Sequence, residues 1–251
     1  MADFLMLVIV DKTENTYSFL QFNRDTMTEV ALIDHNGEGE ATANIQLCTA
    51  HWYGGNREQS CENTVKSVKK LLGGIQIDGY YELNMNEIPK LNSMVDGVTV
   101  TLEDDFSKKY PKMKKGATIN LDDEQAYAYV HDRYGVGDEE NASRMKRQQQ
   151  YMTGFFKKLQ EKVKANPNYA NEVFESLQDV STTDITIGKI SNISNIFASG
   201  TDKGIFQLAG KSKIGQALGD EMDHMEFYVN KKAMVSTMSE LFGIVEQKNK
   251  E

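Results

Sequence analysis

Segments with strand-like and helix-like patterns alternate along this chain, and this alternation limits the fold more than any other feature. Strand-like runs at residues 4–10, 16–23, 77–83 and 98–102 are interrupted by helix-like runs, among them 86–94 and a run from Ser60, its predicted N-cap, to Leu72. Such an order predicts a layered α/β/α sandwich around a mixed central sheet. At 251 residues and 39% hydrophobic, the chain can bury one full core. We therefore expect a single domain over residues 1–251, with a helical C-terminal portion from about residue 167.

Three arginines are concentrated between His131 and Gln148, although the chain as a whole carries a net charge of −9. Arg133, Arg144 and Arg147 surround a glycine-containing acidic loop. Guanidinium groups stay charged and present forks of donors that match phosphate oxygens, so the cluster indicates a phosphate or pyrophosphate site. The alternative is a solvated helix start, in which the acidic residues 138–140 neutralise the arginines locally. Charge alone does not separate the two.

Helical periodicity favours the anion site. A helix is predicted from Asn141, as N-cap, to the stop at Asn166-Pro167. Its apolar stripe is bordered by Arg144 and Gln148, so we expect Arg144 to be more buried than Arg147.

The preceding helix is predicted to begin with a capping box formed by Asp122 and Gln125 and to end near His131. It would bring Arg133 to the loop between the two helices. Free backbone N–H groups at the start of the following helix also favour a negatively charged ligand.

A second polar cluster is predicted at the N-terminus. The apolar runs 4–10 and 16–23 are separated by a short polar segment that is typical of a hairpin. Antiparallel register would place Asp3 near Asn23, beside Arg24 and Asp25. Carboxylate and phosphate oxygens together suit magnesium, so the cluster indicates an ion and phosphate site. Alternatively, these polar residues only mark strand ends.

The same residues carry a resemblance to a known family. Arg24-Asp25-Thr26 after a strand, together with Arg144, Arg147 and Gln148 on a helix, resembles the LytR-CpsA-Psr family. Further blocks resemble it in the right order: Tyr53-Gly54-Gly55, Asp96-Gly97-Val98-Thr99-Val100, Gly116, residues 121–130, Glu226-Phe227-Tyr228-Val229 and Leu241-Phe242. The likeness covers nearly the whole chain.

This resemblance implies a phosphotransferase on the extracytoplasmic face of the membrane, mostly in Gram-positive bacteria. Such enzymes move a glycopolymer from a polyprenyl-pyrophosphate carrier to peptidoglycan. By position, the implied pyrophosphate ligands are Arg24, Arg133, Arg144, Arg147 and Gln148. Arg24, Asp25 and Arg133 are the implied catalytic residues, and Asp3 and Asp25 the implied magnesium ligands.

Two departures from the family pattern are visible. His131 stands where the family usually has an arginine, so a permanent charge is replaced by an imidazole that is largely neutral at pH 7. The family domain also begins upstream of Asp3, with a strand that ends in another metal-binding aspartate. We expect an N-terminally truncated domain whose missing N-terminal anchor would place it at the membrane surface. Two alternatives stay open: a non-catalytic polyprenyl-phosphate binder and a metal-dependent prenyl pyrophosphatase.

Three smaller expectations complete the prediction. The resemblance implies a lipid tunnel lined by the 4–10 strand and by Phe155 and Phe156. Cys48 and Cys61, the only cysteines, form either a disulfide or two buried thiols. The acidic net charge argues against nucleic acid as a partner. His35 and His51 have no partner that the sequence reveals.

Overall fold

The computed structural model describes residues 1–39 and 41–243. Its strands are β1 Leu5–Asp11, β2 Thr16–Phe22, β3 Met27–Ala31, β4 Thr42–Gln46, β5 Tyr81–Leu83, β6 Val98–Thr101, β7 Thr118–Leu121, β8 Ser181–Thr183, β9 Thr201–Gln207, β10 Gly210–Gly215 and β11 His224–Val229. Its α-helices are α1 Arg57–Leu71, α2 Ile88–Met94, α3 Asp123–His131, α4 Asn141–Ala165, α5 Tyr169–Ser176, α6 Ile187–Ser199 and α7 Lys231–Phe242. Short 3-10 helices occupy Leu47–Trp52, Met85–Glu87 and Gln178–Val180.

The central sheet is mixed and has the order β1-β2-β9. β1 and β2 form the predicted antiparallel hairpin, and β9 adds to the other edge of β2 in parallel. Four two-stranded ribbons surround this sheet: β3-β4, β5-β8, β6-β7 and β10-β11.

The two faces of β2 pack against different layers, because successive side chains of a strand point to opposite faces. On one face, Phe19 stacks on Phe156 of α4 at 4.1 Å between ring centroids. On the other face, Leu20 and Phe22 belong to a buried cluster with Val68 of α1 and Met238 of α7. The sheet therefore lies between two helical layers, and the predicted α/β/α class is confirmed.

A second core forms where α4 crosses the β6-β7 ribbon. Tyr151 and Phe155 of α4 are buried with Val98 and Leu121 of the ribbon and with Tyr129 of α3. The contact is close: a Cβ built on Gly154 would lie 2.6 Å from a methyl carbon of Val98. This packing fixes α3 and α4 side by side, and the first turns of α4 lie next to the central sheet, where Gln21 of β2 donates to Met145 O.

The C-terminal third departs from the prediction. It contains α5, α6 and α7, but the prediction of a helical portion from about residue 167 was wrong because four strands lie there too. β9 completes the central sheet and β8 pairs with β5. β9 begins with three exposed polar residues, and β10 is exposed along nearly its whole length and contains two lysines and two glycines, so hydrophobic alternation is weak in both strands.

Helix starts were predicted with mixed success. The capping box of Asp122 and Gln125 is present, with both hydrogen bonds formed. Ser60 was the wrong cap: α1 starts earlier, and the side chain of Asn56 accepts from Gln59 N. Asn141 does not cap α4, because the N-cap position is Glu140. Its side chain is instead directed into the site described below.

The capping box of α3 gives a first testable expectation. Replacing Asp122 by alanine removes the oxygen that accepts the hydrogen bond from Gln125 N at 2.9 Å. We expect a loss of about 1 kcal/mol in the free energy of unfolding, measured by urea denaturation. The exposed neighbour Glu124 offers a control, since Glu124→Ala removes no capping bond. Equal effects of both substitutions would contradict a specific role for the cap.

Within the described residues, no helix combines the length and the hydropathy that a bilayer-crossing segment needs.

Candidate anion-binding site

The site begins at the open end of the β1-β2 hairpin. The ladder pairs Leu5 with Phe22, so the residues beyond the strands continue with Asp3 opposite Arg24, one residue further than predicted. Arg24 forms ion pairs with both carboxylates: its Nη1 with Asp3 Oδ1, and its Nε with Asp25 Oδ1 at 3.7 Å. Two acids and one arginine therefore share this sheet end, as predicted.

The first turn of α4 brings the second arginine to the same place. Arg144 Nη1 lies 3.8 Å from Asp3 Oδ1, so Arg24 and Arg144 share one carboxylate. Asn141 connects the elements: its Nδ2 donates to Asp25 Oδ2 at 3.0 Å, and its Oδ1 accepts from Arg144 Nη2 at 2.9 Å. The predicted convergence of Arg24 and Arg144 is confirmed.

The guanidinium of Arg144 is buried and incompletely satisfied. Only 6% of the residue is exposed, and its Nε is a buried donor with no hydrogen-bond partner among the described residues. Burial lowers the pKa of Arg144, and the neighbouring charge of Arg24 acts in the same direction. A buried charged donor without a partner costs free energy. This geometry suits an acceptor brought by a ligand.

The field at the site is dominated by cations. Burial raises the pKa of Asp25, and the charges of Arg24, Arg144 and Arg133 oppose that rise. Asp25 thus lies within reach of three guanidinium groups. Because two carboxylates face three arginines, a bound anion would be attracted by the excess positive charge.

Arg133 reaches this field from the α3-α4 loop. Its guanidinium lies 4.6 Å from the ring centroid of Tyr134, and its Nη2 donates to the Tyr134 hydroxyl. The acidic residues of the loop serve other partners. Asp138 accepts from Ser143 and Glu140, and Glu139 from Gly135. In the described part of the chain, residues 138–140 form no ion pair with an arginine, so the alternative of a locally neutralised helix start does not hold.

Arg147 and Gln148 point elsewhere. Arg147 donates from Nε to Tyr129 O at 3.0 Å and from Nη2 to Asp132 O, while its Nη1 pairs with Asp104. Gln148 Nε2 donates to Val130 O at 3.1 Å. Both side chains thereby satisfy carbonyls at the C-terminal end of α3, where a helix leaves acceptors unpaired and its dipole favours a cation.

The predicted order of burial was wrong. Arg147 is 2% exposed and Arg144 6%, because Arg147 is enclosed between α3, α4 and the loop that carries Asp104. In this arrangement Arg147 and Gln148 support the loop of Arg133 and do not line the anion site. Their role as direct pyrophosphate ligands stays a prediction.

Sequence reasoning missed two contributors. Asn141 was assigned as a cap, but it is the hydrogen-bonded link between Asp25 and Arg144; its spacing of three residues from Arg144 places both on one helix face. The other is Cys48, whose Sγ lies 3.6 Å from Arg24 Nη2. Cys48 and Cys61 are both buried free thiols, which is one of the two predicted alternatives. His131 lies at the end of α3 and stacks on Tyr127 at 4.8 Å.

The lipid tunnel stays a prediction, and the residues named for it lie on both faces of the sheet. Leu5, Leu7 and Ile9 pack with the α1 and α7 cluster. Phe155 and Phe156 belong to the core on the other side of the sheet. The α4-side face of β1 is open instead, since Val8, paired with Phe19, is 50% exposed.

At one end of the sheet in this α/β/α sandwich, the described residues bring together three arginines, two carboxylates and a buried donor without a partner, an arrangement that suits an anion. The LytR_cpsA_psr family matches residues 1–242, so the chain belongs to the LytR-CpsA-Psr family. Membership places it among the transferases of cell-wall glycopolymers and associates it with the cell envelope.

Solved structures show the same fold. Protein gbs0355 from Streptococcus agalactiae superposes with a TM-score of 0.73 at 21% identity, over 96% of this chain and 78% of that one. TagT of B. subtilis gives 0.67 at 22% identity, over 96% and 84%. TagT bound to LIIa-WTA gives 0.69 at 20% identity, again over 96% and 84%. Comparison with curated proteins gives no match.

Proposed function

We propose that this protein transfers a glycopolymer from a polyprenyl-pyrophosphate carrier to peptidoglycan on the extracytoplasmic face of the membrane. The observation that carries the proposal is the buried guanidinium of Arg144, whose Nε has no partner in the described protein and which shares Asp3 with Arg24. A pyrophosphate supplies an oxygen that can accept a hydrogen bond from this Nε, and its negative charge balances the positive charge of the arginines. TagT, which has the same fold, is bound to LIIa-WTA in one solved structure.

Each side chain of the site has a role that follows from its position. Arg24 and Arg144 hold the pyrophosphate from the sheet and from α4, and Arg133 closes over it from the loop. Asp25 and Asn141 keep the guanidinium groups of Arg24 and Arg144 apart and correctly oriented. Phosphoryl transfer depends mainly on positioning and on neutralising charge on the phosphate oxygens. These side chains provide both. A peptidoglycan hydroxyl then attacks the phosphorus that carries the saccharide and loses its proton to solvent, while the P–O bond between the two phosphates breaks and the prenyl phosphate leaves.

Magnesium fits this site only together with a ligand. Asp3 and Asp25 are hard oxygen donors of the right kind. However, each is also engaged by Arg24, and no third His, Cys, Asp or Glu joins them in a metal-sized group within residues 1–39 and 41–243. When bound, the ion would draw its other oxygens from the pyrophosphate and from water and would neutralise charge on the phosphate.

Magnesium affinity should therefore depend on pyrophosphate. We expect a non-hydrolysable prenyl pyrophosphate analogue to strengthen magnesium binding by about tenfold or more, since magnesium dehydrates reluctantly and needs a complete octahedral shell. Isothermal titration with and without the analogue measures this. Asp3→Asn should reduce the increment, and Asp11→Asn, at the exposed end of β1, provides a control. Equal magnesium affinity in both titrations would contradict the expectation.

One experiment separates the proposal from its alternatives. Purified protein is incubated with magnesium and a prenyl-pyrophosphate-linked saccharide, with and without peptidoglycan fragments. Acceptor-dependent transfer of the saccharide supports the proposal. Hydrolysis at the same rate without acceptor indicates a pyrophosphatase, and tight binding with neither reaction indicates a carrier-lipid binder. Both of these outcomes overturn transferase activity.

A further inference from the structure

A second group of chemically reactive side chains lies outside the anion site. His51 of the Leu47–Trp52 helix, Cys61 of α1 and Glu82 of β5 converge, and one ligand atom from each lies within 4.8 Å of the others. Cys61 Sγ and His51 Nε2 are 3.9 Å apart. The three residues come from separate elements, so their convergence is a property of the fold that no sequence motif marks.

We propose that His51, Cys61 and Glu82 form a binding site for a zinc-type divalent ion. Thiolate, imidazole and carboxylate are the three donor types that zinc takes, whereas magnesium and calcium bind oxygen donors. Zinc distances of about 2.0–2.3 Å in a tetrahedron place ligand atoms roughly 3.3–3.6 Å apart. The observed 3.9 Å between Sγ and Nε2 is slightly wider, and the three ligand atoms lie within 4.8 Å of one another. The side chains would therefore have to move inward for an ion to bind all three.

The protonation states of His51 and Cys61 have opposite effects on ion binding: the imidazole is ready to coordinate, whereas the thiol must first lose its proton. Burial lowers the pKa of His51, as do the amino terminus of Met1 and Arg57, so the ring is neutral and free to coordinate. Burial raises the pKa of Cys61 to about 12. The ion must therefore displace the thiol proton, releasing one proton on binding. The charged groups that act on Cys61 are Glu82, Arg57, Glu58 and Asp184.

Glu82 already forms an ion pair with Arg57, and its two carboxylate oxygens allow it to keep that partner while it binds the ion. Arg57 Nη2 lies 2.5 Å from Glu82 Oε2. With Arg57 retained on that oxygen, Oε1 is available to the ion, and the arginine orients the carboxylate as outer-sphere partners of metal sites do. Three protein ligands leave a fourth position to water. The bound ion would connect the Leu47–Trp52 helix, α1 and β5, and the first of these carries Cys48 beside Arg24.

Cobalt(II) is the probe that tests this site. Reduced protein without a histidine tag, free of phosphate, is titrated with Co²⁺. We expect one equivalent to produce a sulfur-to-cobalt charge-transfer band, and Zn²⁺ to displace it. Cys61→Ser should abolish the band. His51→Gln and Glu82→Gln should weaken cobalt binding by more than the roughly 10- to 100-fold that loss of an outer-shell partner costs.

Matched controls come from the same chain. Cys48→Ser removes the other thiol and should keep the band, and His35→Asn alters an exposed histidine and should keep the affinity. Circular dichroism checks the fold of each variant, and zinc should raise the melting temperature of wild-type protein because it binds only the folded state. Absence of the band in wild-type protein overturns the proposal. So does its persistence in folded Cys61→Ser, or its loss in Cys48→Ser.

Discussion

Replacement of Arg147 by methionine is expected to lower the free energy of unfolding by about 3–5 kcal/mol, the range for breaking a buried, hydrogen-bonded ion pair by removing one partner. The guanidinium serves two carbonyls at the end of α3 and pairs with Asp104, whose side chain is 15% exposed. Methionine fills a similar volume but donates nothing. Asp104 would lose its counter-charge, and Tyr129 O its donor.

Urea denaturation measures this effect against a close control. Lys146 is the exposed neighbour of Arg147, so Lys146→Met should change stability by no more than about 0.5 kcal/mol. Arg147→Lys keeps the charge but not the planar fork of donors, and should recover only part of the loss. If Arg147→Met were as stable as Lys146→Met, the assignment of Arg147 as the anchor of the α3-α4 junction would be wrong.

Local patterns in the sequence predicted a large part of the fold. The hairpin followed from two apolar runs around a polar turn, and its register was off by one residue. The capping box at Asp122 was found because its chemistry is contained in four consecutive residues. β9 was missed because its exposed polar residues give no alternation, and only its pairing with β2 identifies it as a strand.

Local sequence patterns did not predict which residues Arg144 and Arg147 contact in the candidate site. Arg144 and Arg147 lie one turn apart on α4, and both are buried. Periodicity places each on the helix surface but does not say which neighbour it meets. Arg144 meets the sheet end with Asp3, whereas Arg147 meets the carbonyl end of α3. That difference depends on how α4 packs between two elements distant in sequence, with Gln21 of β2 donating to Met145 O at 3.5 Å.

Arg144→Met is expected to have the opposite pattern of effects to Arg147→Met. The affinity for a prenyl pyrophosphate analogue should fall by about 1.5–3 kcal/mol, roughly 10- to 150-fold, because a charged hydrogen bond to the ligand is lost. Stability without ligand should change by no more than about 1 kcal/mol. Methionine loses the hydrogen bond to Asn141 and the contact with Asp3, but it also removes a buried donor that has no partner among the described residues and relieves the repulsion between Arg144 and Arg24.

Calorimetry and urea denaturation on the same protein samples separate these two effects. Lys146→Met is again the control and should bind the analogue like the wild type. Arg144→Lys should bind with intermediate affinity, because an ammonium restores the charge but not the fork. Unchanged affinity in folded Arg144→Met would remove this arginine from the anion site. A stability loss as large as that of Arg147→Met would show that both arginines stabilise the fold. The unpaired Nε of Arg144 would then not indicate a ligand-binding position.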